Sequence, residues 1–147
     1  MKPTVSRTIR FAGFLFLVSA VFGLLSTTSP VALFGDIRSG PAAVVYHLIY
    51  VALFASVGIG LWWGKRWGPA VLLGTTVFYT ADRLLYLLSE STRQAEFAMY
   101  TQGYEELVEL IDMQTVNSAI FTITITTLVC WWGFAAYVYW KRESFER

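Results

Sequence analysis

Residues 42–63 read AAVVYHLIYVALFASVGIGLWW, a stretch without Asp, Glu, Lys or Arg. A helix of about 20 mostly apolar residues spans the ~30 Å hydrocarbon core of a bilayer. We therefore interpret this stretch as a membrane-spanning helix. The whole chain agrees with that interpretation, because 56% of its 147 residues are hydrophobic and only 14% are charged. Soluble domains carry about 25% charged residues.

Three more apolar stretches, at residues 9–25, 69–88 and 116–140, have the length of membrane spans. The first has the basic start and apolar length of a secretory signal peptide, but no Ala-x-Ala cleavage site follows it, so we expect a retained helix. Pro69 favours a helix start, because the N–H that proline lacks has no partner in a first turn. We predict an all-α integral membrane protein, a four-transmembrane-helix bundle that occupies residues 1–147 as one domain.

The basic residues indicate how these spans are oriented. With a cytoplasmic N-terminus, eight of the eleven Lys and Arg residues lie on the cytoplasmic side, as the positive-inside rule requires. They are Lys2, Arg7, Arg10, Lys65, Arg66, Lys141, Arg142 and Arg147. Tryptophans gather in the same half, with Trp131 and Trp132 deepest. We expect a multi-pass protein of the plasma or inner membrane with both termini in the cytoplasm. The lipid bilayer is its expected partner, and the net charge of +1 does not favour nucleic acid.

The segment between the third and fourth spans, residues 90–112, is acidic and amphipathic. Ser91 and Gln94 have the spacing of a capping box, which predicts a short helix over residues 92–102. A further helix that begins near residue 104 would extend the fourth span beyond the bilayer. Glu105, Glu109 and Asp112 lie on one face of that helix. We interpret them as a solvated acidic face, with a cation site or a contact for a basic partner as alternatives.

Small residues recur at four-residue spacing on every predicted span, which places each row on one face of its helix. Membrane helices associate through close backbone approach and hydrogen bonds, so such rows favour helix packing. The rows are Ser19 and Gly23; Ala52, Ser56 and Gly60; Ala70 and Gly74; and Ser118, Thr122, Thr126 and Cys130. We expect packing within the chain. The alternative, strongest for the fourth span, is a contact between copies or the wall of a polar cavity.

Two ionisable residues, Asp82 and Arg83, lie inside the third predicted span. Each costs about 2.5–3.5 kcal/mol to insert, so such residues are usually paired, buried in protein or exposed to a cavity. Consecutive helical positions point about 100° apart, so we expect separate partners for the two. Arg83 would reach the outer headgroups or Glu90, while His47 on the second span shares the depth of Asp82.

We predict one polar cluster in the outer half of the bilayer, which we interpret first as a hydrogen-bonded clamp that fixes helix register. Its residues are His47, Tyr50, Asp82, Arg83, Tyr86 and Asn117. The alternative is a site that binds a proton or a small ligand and opens to the outer face. We predict no catalytic residue, metal or cofactor, because the chain has a single histidine and a single cysteine, Cys130, on opposite sides of the membrane.

Small packing residues are frequent and catalytic motifs are rare, which favours an interaction role. We expect an accessory subunit or a homo-oligomeric component of a membrane complex. The alternative is a small transporter or channel subunit that uses the polar cluster. A membrane enzyme with His47 as base and Arg83 as anion holder has less support, since no nucleophile or metal accompanies the base. A ligand-sized opening at the cluster would favour transport or enzymology over the clamp.

Overall fold

The computed structural model describes residues 5–33, 36–103 and 113–145 of the chain. They form four long helices, α1 (Arg7–Leu25), α2 (Pro41–Trp62), α3 (Gly68–Leu88) and α5 (Met113–Trp140), and a shorter helix, α4 (Glu90–Thr101). The four long helices are long and apolar enough to cross a membrane. This confirms the four predicted apolar helices, whose bounds lie within three residues of the prediction.

Local sequence signals account for where the long helices begin. The Ser6 hydroxyl accepts a hydrogen bond from the Ile9 amide at 3.4 Å, which caps α1. Pro41 and Pro69 lie in the first turns of α2 and α3, where the missing amide hydrogen costs no hydrogen bond. Gly64 has a φ of 65° in the turn between α2 and α3, a conformation that favours glycine.

The connection between α1 and α2 contains a small hairpin that the sequence analysis did not predict. Its strands, β1 (Val31–Leu33) and β2 (Asp36–Arg38), pair antiparallel, with Val31 opposite Arg38. Strands of three residues are too short to show the alternation of apolar and polar residues that marks a strand. Helix α4 packs against both strands and against α3. We call this end of the molecule the hairpin end.

Helix α4 confirms the short helix predicted after the third span, but its N-cap differs from the prediction. The helix begins at Glu90, and Ser89 rather than Ser91 caps it, because the Ser89 backbone is extended and its hydroxyl accepts from the Thr92 amide at 3.3 Å. The predicted helix start near residue 104 and the acidic face of Glu105, Glu109 and Asp112 lie outside the described residues.

The opposite end of the molecule, which we call the basic end, is closed by a buried apolar cluster. This cluster consists of Val5, Ile9, Val57, Leu61, Leu72, Ala135, Val138 and Phe145. It draws together the N-terminal segment, the four long helices and Phe145, which follows the 3-10 turn after α5 (Arg142–Ser144). Six described basic residues belong to segments at this end: Arg7, Arg10, Lys65, Arg66, Lys141 and Arg142.

Glycines set the distance between helices near the basic end. A Cβ atom on Gly60 of α2 would lie 2.6 Å from the Gly68 Cα of α3, and one on Gly58 would lie 2.9 Å from the Gly13 carbonyl oxygen of α1. Both distances are too short for a side chain. The helices therefore pack backbone to backbone at these points, as membrane helices do at small residues.

Only part of the predicted small-residue rows takes part in this packing. Gly23 and Gly60 meet neighbouring helices, since a Cβ on Gly23 would lie 2.9 Å from Val51 Cγ2. A Cβ on Gly74 would have no atom of another described segment within 4 Å. Gly13 and Gly58, which carry the contact between α1 and α2, were not singled out from the sequence because their partners lie on different helices.

We predict that Gly60→Ala destabilises the protein and that Gly74→Ala does not. The added methyl group at residue 60 meets the Gly68 backbone, which cannot rotate away, and overpacking of this kind costs about 1–3 kcal/mol. At residue 74 the same change meets open space and gains up to about 1 kcal/mol of helix propensity. Denaturation of both variants by SDS in mixed micelles measures the free energy of unfolding.

Candidate functional site

Three donors converge on one carboxylate oxygen near the hairpin end. Tyr46 and Tyr50, four residues apart on one face of α2, donate hydrogen bonds to Asp82 Oδ2 at 3.0 and 2.7 Å. Arg83 Nη2 lies 3.2 Å from the same oxygen. The other carboxylate oxygen, Oδ1, has no bond to any described residue. A partly buried charge is therefore balanced, while one of its two acceptor atoms stays open.

The prediction that Asp82 and Arg83 have separate partners is wrong. Their Cβ atoms point in different directions, but the long arginine side chain curves back and pairs with its neighbour. The guanidinium also lies over two rings, 5.2 Å from the centroid of Tyr79 and 5.8 Å from that of Tyr86. Among the described residues it forms an ion pair with Asp82 and not with Glu90. The angle of about 100° between consecutive helical positions therefore did not prevent the flexible Arg83 side chain from reaching its neighbour.

His47 lies at the edge of the same region and does not bind the carboxylate. Its Nε2 atom is 3.1 Å from the Ser29 carbonyl oxygen, so the tautomer that carries a proton on Nε2 donates to that oxygen. Its ring packs edge-on against Tyr46, with the centroids 5.8 Å apart. The histidine therefore ties α2 to the connection that follows α1.

Below the carboxylate, aromatic rings from four helices form a floor. Trp131 of α5 stacks on Tyr79 of α3 with the ring centroids 4.5 Å apart, and its Nε1 donates to Thr76 Oγ1 at 2.8 Å. Phe54 of α2 and Phe16 of α1 pack on the same indole, at 6.0 and 5.5 Å. The hydrogen bond to Thr76 fixes the indole of Trp131, so this aromatic floor has a defined position between the hairpin end and the basic end.

These groups enclose a cavity of about 560 Å³ at the hairpin end. Pockets for small molecules measure roughly 300–1,000 Å³. Five of the six predicted site residues line the cavity: His47, Tyr50, Asp82, Arg83 and Tyr86. The other lining residues are Gly23, Ser26, Ser29, Pro30, Val31, Tyr46, Phe54, Tyr79, Glu96, Met99, Tyr100 and Trp131.

The chain matches no protein-family model, no curated protein and no solved structure.

The structure does not bring Asn117, the sixth predicted residue, into this cavity. Its Oδ1 accepts a hydrogen bond from Arg93 Nε at 3.4 Å, and both residues line a second depression of about 450 Å³ with Phe121. Arg93 also donates to the Leu87 carbonyl oxygen, which fastens α4 to the end of α3. We placed Asn117 by its height along the helix, but height does not determine which side of α5 it occupies.

Several cavity residues were not predicted as part of the site. Glu96, Met99 and Tyr100 come from α4, which lies over the ends of the long helices because of its contacts with the hairpin. Trp131 was assigned to the cytoplasmic half by its sequence position. The spacing of Tyr46 and Tyr50 was a usable signal, since residues four apart on a helix reach the same partner.

The arrangement can bind polar groups, but it lacks the usual parts of a catalytic centre. Among residues 5–33, 36–103 and 113–145, no group of three or more His, Cys, Asp or Glu side chains is placed to hold a metal ion. The Tyr46 and Tyr50 hydroxyls already donate to Asp82. What remains available among the described lining residues is an acceptor oxygen of Asp82, the unpaired Nε of Arg83, aromatic faces and the carboxyl group of Glu96.

We predict that Asp82→Leu and Arg83→Leu are each strongly destabilising but not additive. Either change leaves a partly buried charge without its counterion, and breaking a buried pair costs about 3–5 kcal/mol before allowance for the solvent that reaches this cavity. The double variant removes both charges. Its free energy of unfolding therefore falls by less than the sum of the two losses, with a coupling of about 0.5–3 kcal/mol.

A matched cycle of Arg83→Leu with Glu90→Gln provides the control. Glu90 lies at the start of α4 and makes no ion pair with Arg83. In the double variant of Arg83→Leu and Glu90→Gln, the losses in free energy of unfolding are expected to add within about 0.5 kcal/mol. Additive losses for Asp82→Leu and Arg83→Leu in the SDS unfolding assay would contradict a stabilising pair.

Proposed function

We propose that the chain crosses a membrane four times, with the basic end in the cytoplasm, and that it binds a small molecule in the cavity at the hairpin end. Long apolar helices with many exposed apolar side chains support the membrane location. The basic residues gathered at one end support the orientation, because positively charged residues concentrate on the cytoplasmic side. The cavity would then open toward the outside.

The observation that carries the binding function is the cavity itself. A clamp that only fixed helix register would be sealed by apolar side chains and would need no space of ligand size. Here Asp82, Arg83 and Tyr86 border a volume of about 560 Å³. Tyr100 at the rim keeps 72% of its surface exposed. A concave site with apolar walls and a few convergent polar groups is typical of small-molecule binding.

Packed side chains lie between the cavity and the basic end. The floor around Trp131 and the glycine contacts between α1, α2 and α3 close the half toward the basic end. We therefore propose the outward-facing site of a small transporter, or of a ligand-binding subunit of a membrane complex, rather than an open channel. An enzyme has less support, since His47 bonds a backbone carbonyl and Arg83 is neutralised by Asp82.

We predict that a cysteine introduced at Phe54 is labelled from outside the cell. Phe54 lines the cavity near its floor, so water-soluble reagents can reach it if the cavity opens outward. In a Cys130→Ser background, Phe54→Cys is expected to react with a membrane-impermeant thiol reagent in right-side-out vesicles. Ser26→Cys, nearer the hairpin, serves as the positive control for the same cavity.

The negative control is Val57→Cys, on the same helix. Val57 is 0% exposed and belongs to the apolar cluster at the basic end. It is expected to stay unlabelled until the protein is denatured. Labelling of Phe54→Cys only in inverted vesicles would reverse the proposed orientation, and its absence from both sides would show that no water-filled cavity is present.

Association with another copy is a second candidate function, supported by one face of α5. Ser118, Thr122, Thr126 and Cys130 follow each other at four-residue spacing and are all exposed on this chain. The Thr122 hydroxyl donates to the Ser118 carbonyl oxygen, so the hydrogen bond of this side chain is satisfied within the helix. Small-residue faces of this kind allow close approach between membrane helices. We propose α5 as the contact between copies in a homo-oligomer.

We predict that oxidation of the protein in its native membrane yields a disulfide-linked dimer through Cys130. The single cysteine is exposed on the proposed contact face, so two copies that pair through α5 bring two thiols together. Copper phenanthroline followed by non-reducing electrophoresis detects the product. Cys130→Ser is expected to abolish it.

A cysteine displaced to another face of α5 provides the matched control. Leu128 is two residues away and only 6% exposed, so Leu128→Cys in the Cys130→Ser background is expected to give no dimer. Equal crosslinking of both variants would indicate random collision, and an exclusively monomeric wild type would remove the support for this face.

A further inference from the structure

We infer that the ligand of this cavity is an organic cation, a protonated amine or quaternary ammonium group carried on an apolar body. The inference rests on the proposed binding function and adds the chemical class of the ligand. It follows from the acceptors left open in the cavity, from the balance of charges and from the aromatic walls.

Apart from the Arg83 guanidinium, whose buried Nε has no hydrogen-bond partner among the described residues, the polar groups of the cavity wall are mainly acceptors. Tyr46 and Tyr50 donate their hydroxyl hydrogens to Asp82 Oδ2, so only the lone pairs of their oxygens remain to bind a ligand. Asp82 Oδ1 carries no bond to a described residue. His47 uses Nε2 on the Ser29 carbonyl oxygen, so in the tautomer that donates there its other ring nitrogen is an acceptor. Such a surface suits a ligand that brings donors or positive charge.

The charges that line the cavity also favour a cation. Asp82 and Glu96 contribute two carboxyl groups, whereas Arg83 contributes one guanidinium. Because Arg83 is paired with Asp82, its charge is already balanced, and the remaining charge among the described lining residues is that of Glu96, whose carboxyl group interacts with the Tyr86 hydroxyl. A charge next to low-dielectric walls acts more strongly on a ligand than it would in water. An anion would meet Glu96 and the open oxygen of Asp82 unfavourably.

Aromatic rings supply the rest of the recognition. Seven of the lining residues are Tyr, Phe or Trp. The negative face of such a ring attracts a cation within about 6 Å of its centroid. The protein already shows this contact, since the Arg83 guanidinium lies 5.2 Å from the Tyr79 centroid and 5.8 Å from that of Tyr86. A ligand cation beside the remaining rings would have the same surroundings.

Three probes of similar shape test this inference on the full chain in lipid nanodiscs. They are benzyltrimethylammonium, its uncharged carbon isostere neopentylbenzene, and the anion phenylmethanesulfonate. Binding is measured by isothermal calorimetry against empty nanodiscs. We expect the cation to bind and the anion not to bind, and we expect the uncharged probe to bind at least about tenfold more weakly than the cation. Ser26→Trp, which places an indole at the cavity wall, is expected to abolish binding.

A pair of charge variants on α4 tests the role of the cavity carboxyl group. Glu96→Gln is expected to weaken binding of benzyltrimethylammonium about tenfold. Glu90→Gln removes the same charge from the same helix outside the cavity, so it is expected to change binding less than about twofold. Equal effects of the two variants would overturn the inference, because the cation would then respond only to the general surface charge.

The remaining outcomes separate this inference from the proposed function. If the uncharged or anionic probe binds as tightly as the cation and Ser26→Trp blocks it, the inference fails while the binding site stands. If no probe binds although Phe54→Cys is labelled from outside, the inference also fails and an open cavity remains. If no probe binds and Phe54→Cys is unlabelled, the inference and the proposed function fail together.

Discussion

The hairpin end of this protein depends on how one carboxylate in an apolar helix is neutralised. Asp82 on α3 draws two tyrosines from α2 and the arginine beside it onto a single oxygen. These bonds hold α2 and α3 in register and position the rings of Tyr79 and Tyr86 around the guanidinium. Because neutralisation uses only one side of the carboxylate, the same interaction both stabilises the helices and leaves an acceptor in the cavity.

The two ends of the molecule are built on different physical principles. Near the basic end, glycines let helix backbones approach closely, and buried apolar side chains fill the space between the helices. At the hairpin end, bulky aromatic and charged side chains keep the helices from closing over the cavity. Trp131 separates the two regions, held by its bond to Thr76 and its stacking on Tyr79. This asymmetry gives the molecule a closely packed half and an open half.

Much of the candidate site could be predicted from the sequence, because an ionisable residue in an apolar span has few tolerable environments. Asp82 and Arg83 therefore identified the region, and helical rise placed His47 and Tyr86 at a similar height. The prediction failed where the contact of a residue depends on the rotation of its helix or on the flexibility of its side chain. Asn117 has a suitable height but lies in the second depression with Arg93, and Arg83 curved back to a neighbour that its helical angle had excluded.

The sequence by itself determined the number and bounds of the long apolar helices, since membrane-spanning length and hydrophobicity are local properties that can be counted along the chain. It also indicated the short helix between the third and fourth, through its amphipathic pattern, although Ser89 and not the predicted Ser91 caps it. Only the tertiary structure decided that Glu96 and Tyr100 belong to the cavity and that Gly13 meets Gly58. These contacts depend on the rotation of each helix about its axis and on distances between segments far apart in sequence, which no local pattern contains.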